Sequence, residues 1–264
     1  MDDHLREKIQ GVSHLFDLKD QVAVITGGDG GLGRGMGLAL AAAGAHIVPI
    51  SINPPGLEET AEDIRSLGRR ALPLAVDVTC ESEVEAMVRR VVEEFGRIDI
   101  LLNSAGTVVI KPTTEFTVQE WEKVIRVNLE GTFICCKQVG KVMVQQKRGK
   151  IINMSSVRGL QGRANDPAYP ASKGAVNMLT KSLAIEWAPM GINVNAIAPT
   201  FIRTELNTFI LDDPKQRQWI ESRIPMGRVG QVSDLLGAVI FLASAASDFI
   251  TGHVLYVDGG WTAA

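Results

Sequence analysis

Cysteine is scarce in this chain of 264 residues. Cys80, Cys135 and Cys136 are its only thiols, an odd number with two adjacent, which argues against a disulfide framework and for buried or partly buried free thiols. Histidine is almost as rare. His4, His14, His46 and His253 stand apart without the spacing of metal ligands, and no catalytic metal is expected. No uncharged apolar run approaches the roughly 20 residues that span a bilayer, so no membrane partner is expected. Nor is positive charge in excess. Lys and Arg number 27 against 30 Asp and Glu, a net charge of −3 that gives no electrostatic reason to bind nucleic acid. Gly-x-Ser-x-Gly is missing, and with so few histidines a Ser/His/Asp hydrolase finds no support. The opening Met1-Asp2-Asp3-His4 is acidic and then mixed, unlike a signal or transit peptide, and a cytoplasmic enzyme is expected. Linkers, repeats and low-complexity stretches are also missing, so one domain should account for the chain.

What is present is an alternation of strand and helix signals. Short apolar runs at Val22–Thr26, His46–Ile50, Ala71–Val76, Ile98–Leu102, Lys150–Met154, Ile192–Ile197 and His253–Val257 read as strands. Helical patterns fill the gaps at Gly31–Ala43, Leu57–Leu67, Ser82–Phe95, Val118–Gln146 and Ala168–Ala188, then near 205–222 and 233–243. This order, with near-continuous apolar strands, predicts an α/β fold: a single-domain, Rossmann-type doubly wound parallel sheet of about seven strands with helices on both faces. Such a sheet takes ligands at the carboxyl ends of its strands. Residues 1–17 read as an arm ahead of the 18–264 domain. Leu5, Ile9, Val12 and Phe16 have roughly helical spacing there, so the arm either docks on the body or another subunit, or frays.

Two local patterns carry chemistry. The first strand ends in Thr26-Gly27-Gly28-Asp29-Gly30-Gly31-Leu32-Gly33 and runs into a helix. Glycines there let backbone approach a pyrophosphate, and the helix start offers free N–H groups and a positive dipole end to that anion. The second pattern is Tyr169-Pro170-Ala171-Ser172-Lys173. Residues four apart on a helix share a face, so an ammonium lies beside a phenol. At ~5 Å and an effective dielectric of about 20, the charge stabilises phenolate by ~3 kcal/mol, about two pKa units, enough to make tyrosine a usable acid and base. Alone, this pair reads more readily as a solvated helix face.

Further motifs overturn that bland reading. From about residue 17 to 262 the chain resembles the short-chain dehydrogenase/reductase family. Thr26…Gly33 looks like its glycine motif, Asn103-Ser104-Ala105-Gly106 its Asn-Asn-Ala-Gly motif, and Asp77-Val78 its adenine-binding pair. Pro199…Thr204 resembles its nicotinamide-contacting segment. Asn128, Ser156, Tyr169 and Lys173 match its catalytic tetrad, with the Ser156–Tyr169 separation of 13 selecting Ser156 over Ser155. The resemblance implies Tyr169 as general acid and base and Lys173 as the group that lowers its pKa and holds the nicotinamide ribose. It implies Ser156 as the hydrogen-bond donor to substrate oxygen and Asn128 as the anchor of a proton-relaying water. It implies cofactor contacts from Thr26, Gly27, Asp29, Gly31, Leu32, Gly33, Ser51, Asp77, Val78, Asn103, Ala105, Gly106, Pro199, Ile202 and Thr204 as well as Tyr169 and Lys173. Two departures stand out: Ser104 for the second Asn, and Thr200 for the Gly after Pro199, which adds a Cβ beside the nicotinamide.

The cofactor is expected to be NAD in preference to NADP. Ser51, Ile52 and Asn53 follow the second strand, with neither the acid that binds a ribose 2′-OH nor a base for a 2′-phosphate, and Gly30 carries no cation. Arg34 or Arg69 is the residue that would reverse this. Two polar loops, Val157–Pro167 and a lid over 200–228, are expected to line the substrate pocket, with Ser156, Tyr169, Arg158 and Arg163 touching substrate. Their polarity, and the sequences Ile224-Pro225-Met226-Gly227-Arg228 and Val257-Asp258-Gly259-Gly260-Trp261, resemble the family's sugar-acid and polyol branch. The expected reaction is interconversion of a secondary alcohol and a ketone on a small polar molecule. The alternatives are reduction of bulkier ketones such as β-ketoacyl groups, and a nucleotide-binding protein without turnover. A homotetramer is implied by the resemblance, with helices at 118–146 and 168–188 pairing between subunits and Tyr256–Ala264 forming a second contact.

Overall fold

The first strand, β1 (Val22–Thr26), is buried along its whole length and sends alternate side chains to opposite faces. Val22 and Val24 enter one core, Ala23 and Ile25 the other. The structure, a computed structural model, describes residues 9–264, without the side chains of Leu206 and Phe209. After β1 come α1 (Gly31–Ala42), β2 (His46–Ser51), α2 (Pro54–Ser66), β3 (Leu74–Ala75), α3 (Glu81–Phe95) and β4 (Ile100–Asn103). Then α4 (Val118–Ile125) and α5 (Gly131–Gln146) lead to β5 (Gly149–Met154), followed by α6 (Ala168–Trp187) and β6 (Ile192–Pro199). The chain closes with α7 (Thr208–Leu211), α8 (Pro214–Arg223), α9 (Ser233–Ala243) and β7 (Val254–Val257). The seven strands lie in the order β3-β2-β1-β4-β5-β6-β7, all parallel. The order reverses between β1 and β4, which makes their carboxyl ends the ligand-binding crevice of a doubly wound sheet. Helices α3, α5 and α6 cover one face, and α1 and α9 the other.

Local chemistry moved several expected boundaries. The third strand shrinks to two residues because Pro73 has no N–H to give the ladder; Ala71 keeps only an isolated bridge to Ile47. The expected helix over 118–146 is interrupted by a π-helical turn at Arg126–Glu130. The expected helix near 205–222 is broken before Pro214, where Asp213 caps α8 by accepting from the Lys215 and Gln216 N–H groups. At the N-terminus, Ile9, Val12 and Phe16 are exposed; Leu5 lies outside the described residues.

Candidate active site

The two loops at the crevice are stitched together by one hydroxyl. Thr26 Oγ1, at the end of β1, accepts the Ser104 and Ala105 N–H groups after β4, both at 2.9 Å. Gly27 has φ +63°, and a Cβ there would stand 3.1 Å from the Ala105 backbone. A Cβ on Gly33 would run into the Gly27 carbonyl oxygen, so α1 lies against the loop only because the side chain is missing. Gly33→Ala should therefore cost about 2–3 kcal/mol of unfolding free energy and weaken dinucleotide binding, read by thermal melting and titration. On its outer side the loop is open. A Cβ on Gly30 would meet nothing within 4 Å, and one on Gly31 nothing closer than Thr204 Cγ2 at 3.9 Å. The α1 N-cap residue, Gly30, makes no side-chain cap, leaving the first helical N–H groups available. These residues fit the pyrophosphate of a dinucleotide.

Farther out, Asn53 Nδ2 donates to Asp29 Oδ2 at 3.2 Å, and the Asn53 N–H to Ser51 Oγ at 3.3 Å. The two arginines that would reverse the cofactor preference are held elsewhere. Arg34 reaches Glu59 and Asp63 on α2, at 3.4 and 2.7 Å, and Arg69 reaches Asp20 at 2.8 Å. Asp77 Oδ1 accepts the Thr79 N–H and hydroxyl, and Val78 is buried against Gly131. Ile202 is buried in the core beside α1 and α9, which confines its cofactor role to its backbone. Asn103 is also buried; it donates to Asn153 Oδ1 at 2.9 Å, tying β4 to β5.

The tetrad residues come together from three elements, with Tyr169 and Lys173 both on α6. Asn128 sits in the π-helical turn and is fully buried rather than on an exposed helix face. The extra residue of such a turn rotates the side chain inward. Asn128 Oδ1 accepts the Thr107 N–H at 2.7 Å, and Nδ2 donates to the Thr107 carbonyl at 3.0 Å and to Ser172 Oγ at 3.1 Å. Its amide thus clasps the segment after Gly106. Ser155 and Ser156 part company after β5. Ser155 Oγ donates to Asn177 Oδ1 at 2.6 Å, while Ser156 Oγ accepts the Arg158 N–H at 3.1 Å and donates to the Pro199 carbonyl at 3.5 Å.

Lys173 is buried. Its Nζ donates to the Met154 carbonyl at 2.7 Å and stands 5.5 Å from the Tyr169 ring centroid. Burial pulls its pKa down to about 8. Burial also pushes the Tyr169 phenol up, opposed first by the Ser156 hydrogen bond; Asp166 adds to the rise, and Arg163 and Arg158 oppose it. Lys173 is not among these influences, which corrects the expectation that its charge lowers the phenol.

A cavity of about 660 Å³ opens between the 157–164 loop and α8, and its Arg158 and Arg163 lie near enough to Tyr169 to influence the phenol. Arg158 and Arg163 line it, together with Lys215, Trp219, Arg223 and Trp261, which local sequence patterns did not single out as a group. Arg203, from the expected lid, pairs instead with Asp212 at 2.7 Å. Another cavity, of about 620 Å³, lies at the amino ends of the strands around Asp99 and Asn193 and holds none of the tetrad.

A doubly wound sheet with a dinucleotide cradle at its switch point and a Ser/Tyr/Lys group beside it defines a nicotinamide-dependent oxidoreductase acting on CH–OH groups. The family model described as "Enoyl-(Acyl carrier protein) reductase" matches residues 27–262. The chain belongs to the short-chain dehydrogenase/reductase family. It is 43% identical to the 2-dehydro-3-deoxy-D-gluconate 5-dehydrogenase of Escherichia coli K12 over 94% of this chain and 98% of that one. It is 38% identical to the 5-keto-D-gluconate 5-reductase of the same organism, over 96% and 100%. Among solved structures, a gluconate 5-dehydrogenase from Burkholderia cenocepacia J2315, in complex with NADP and tartrate, superposes with a TM-score of 0.92 at 41% identity, covering 95% of this chain and 98% of that one.

Proposed function

We propose that the protein interconverts the secondary alcohol and ketone of a sugar acid, with NAD as its preferred cofactor. The observation that carries this reading is a cavity lined by Arg158, Arg163, Lys215 and Arg223, of which Arg158 and Arg163 lie near enough to Tyr169 to act on its phenol. Bound nicotinamide dinucleotide supplies or takes up the hydride. Tyr169 gives a proton to the ketone oxygen in reduction and withdraws one from the alcohol in oxidation. Ser156 donates a hydrogen bond to the same oxygen and stabilises its developing charge. Lys173 holds the ribose hydroxyls from beneath Tyr169, and Asn128 fixes the backbone after Gly106 that walls this space. The test is the initial rate of NAD and NADP reduction across sugar acids and neutral polyols, with acetoacetyl thioester reduction assayed alongside. Turnover confined to the thioester overturns the sugar-acid reading. That second reading, a β-ketoacyl reductase, draws on the same cations, since an acidic carrier needs a basic docking surface.

Support for NAD comes from the ribose corner. No arginine is free there among the described residues, and the Asp29 carboxylate on Asn53 would repel a 2′-phosphate. NAD should bind about tenfold tighter than NADP, and Asp29→Asn should narrow that gap, measured by tryptophan fluorescence titration. The relatives crystallised with NADP mark the opposite result, equal or tighter NADP binding. A homotetramer and a cytoplasmic setting belong to the same proposal. Ala171, Ala175, Met178, Ser182 and Ile185 form one small and apolar stripe on α6, with Met178 and Ile185 59% and 80% exposed. Light scattering on the purified protein reads the assembly. The three free thiols suit a reducing compartment.

A further inference from the structure

Among the described arginines, only Arg148, Arg158 and Arg223 lack a carboxylate partner, and two of these three line the cavity between the 157–164 loop and α8. Lys215, on the same wall, is also without one. Arg163 has Asp166 at 3.9 Å. The two unpaired guanidiniums are placed by aromatic rings rather than by acids. Arg158 lies 5.4 Å from the Trp261 ring and Arg223 5.3 Å from the Trp219 ring. The two indoles meet edge to face at 6.4 Å, and Trp261 Nε1 is pinned by Gln161 Oε1 at 2.8 Å. Stacking on an indole orients a guanidinium and leaves its N–H fork unspent. Arg158 spends one arm on the Gly162 carbonyl at 3.0 Å. Burial and the nearby Arg163 both disfavour its charge, a cost that an incoming anion relieves.

The cluster is tied to the reacting group. The Arg158 N–H holds Ser156 Oγ, and Arg158 and Arg163 both act on the Tyr169 phenol. Val157, next to both, packs with Ile210, Leu211, Ile220, Ile224 and Trp261 in a small core of its own, so α8 is fastened directly to the loop that carries Ser156.

We propose that this cavity seats the substrate's carboxylate, with Arg158 and Arg223 as its two-sided cationic clamp and the Trp219/Trp261 pair as the wall for the carbon chain. This rests on the sugar-acid reading above and adds which end of that substrate is recognised, and by what. Planar bidentate pairing is what guanidinium gives a carboxylate, and the C–H face of a polyhydroxy chain suits an indole. Arg223 is exposed at the end of α8, which leaves its guanidinium open to an incoming anion.

The test uses the full chain loaded with nicotinamide cofactor and D-gluconate as the probe, with D-glucitol as a neutral substrate of equal chain length. Arg223→Gln and Arg158→Gln should each raise the gluconate KM by about 10–100-fold. Arg223→Gln should leave kcat within about threefold, because it touches no reacting atom. Arg217→Gln, on the same helix but paired with Glu221, should change neither value. Quenching of Trp219 and Trp261 fluorescence by gluconate gives a binding constant independent of turnover and should weaken in parallel. Wild-type turnover of gluconate with unchanged KM in both clamp variants puts the carboxylate elsewhere and overturns this inference while the sugar-acid reading stands. Wild-type turnover of acetoacetyl thioester without any of gluconate removes that reading and the clamp with it.

Discussion

Replacing Tyr169 by Phe should lower kcat by about 10³-fold or more while dinucleotide affinity and melting temperature stay close to wild type. The ring packs as before, since phenylalanine removes only the hydroxyl. Ser156 Oγ keeps the Arg158 N–H at 3.1 Å, so no buried donor is stranded by the change. What disappears is the one group near Ser156 that both gives and takes a proton. The direction of its pKa shift sets the pH dependence. Burial raises the phenol above its ordinary value, so it stays protonated at neutral pH and is a ready donor for ketone reduction. Oxidation needs the phenolate. Its kcat/KM should rise by about tenfold per pH unit on the acid side of the tyrosine pKa, while reduction falls off as pH passes that value. Rates in both directions from pH 6 to 10, with the Phe variant alongside, check this. A variant that keeps a tenth or more of wild-type kcat removes Tyr169 from the chemistry.

How much of this site the sequence revealed depended on distance along the chain. Thr26…Gly33 and Tyr169…Lys173 are local patterns, and each is read from spacing that a strand–helix turn or one helical turn imposes. Ser156 was chosen over Ser155 by its separation from Tyr169; the structure adds the physical difference, that Ser155 is spent on Asn177. Asn128 is found in sequence by family resemblance alone. A π-helical turn has no signature in the apolar period of 118–146, so its burial and its bonds to Thr107 become visible only in the structure. The Trp219/Trp261 pair and its two arginines come from positions 158 to 261, brought together only by tertiary folding, so no window of sequence shows them as a unit. Strand β3 failed for a simpler reason, since apolar content around Pro73 outweighed the missing N–H.

Lys173→Met should make the cofactor-free protein more stable and the enzyme far less active. Lys173 is 5% exposed, and its one polar contact among the described residues is the Met154 carbonyl. With its pKa pulled to about 8 in the folded chain against about 10.4 unfolded, holding the ammonium at pH 7 costs about 3 kcal/mol. The sign follows from proton binding. The unfolded chain binds this proton more tightly, so the penalty is full below pH 8 and fades as pH rises toward 10.4, where both states are neutral. Methionine keeps the aliphatic stem and drops the charge, at a cost of about 1 kcal/mol for the carbonyl left unpaired. The balance is a gain of about 1–2 kcal/mol at pH 7, seen as a higher melting temperature whose advantage over wild type shrinks by pH 10. Activity should fall at least ~100-fold: a Cβ placed on Gly106 would stand 3.9 Å from Lys173 Nζ, which puts the ammonium beside the cradle where the proposed function needs it for the ribose hydroxyls. Added NAD should then raise the melting temperature of wild type more than that of the variant. A variant that melts lower at pH 7 would mean that the bond to Met154 outweighs the burial of the charge.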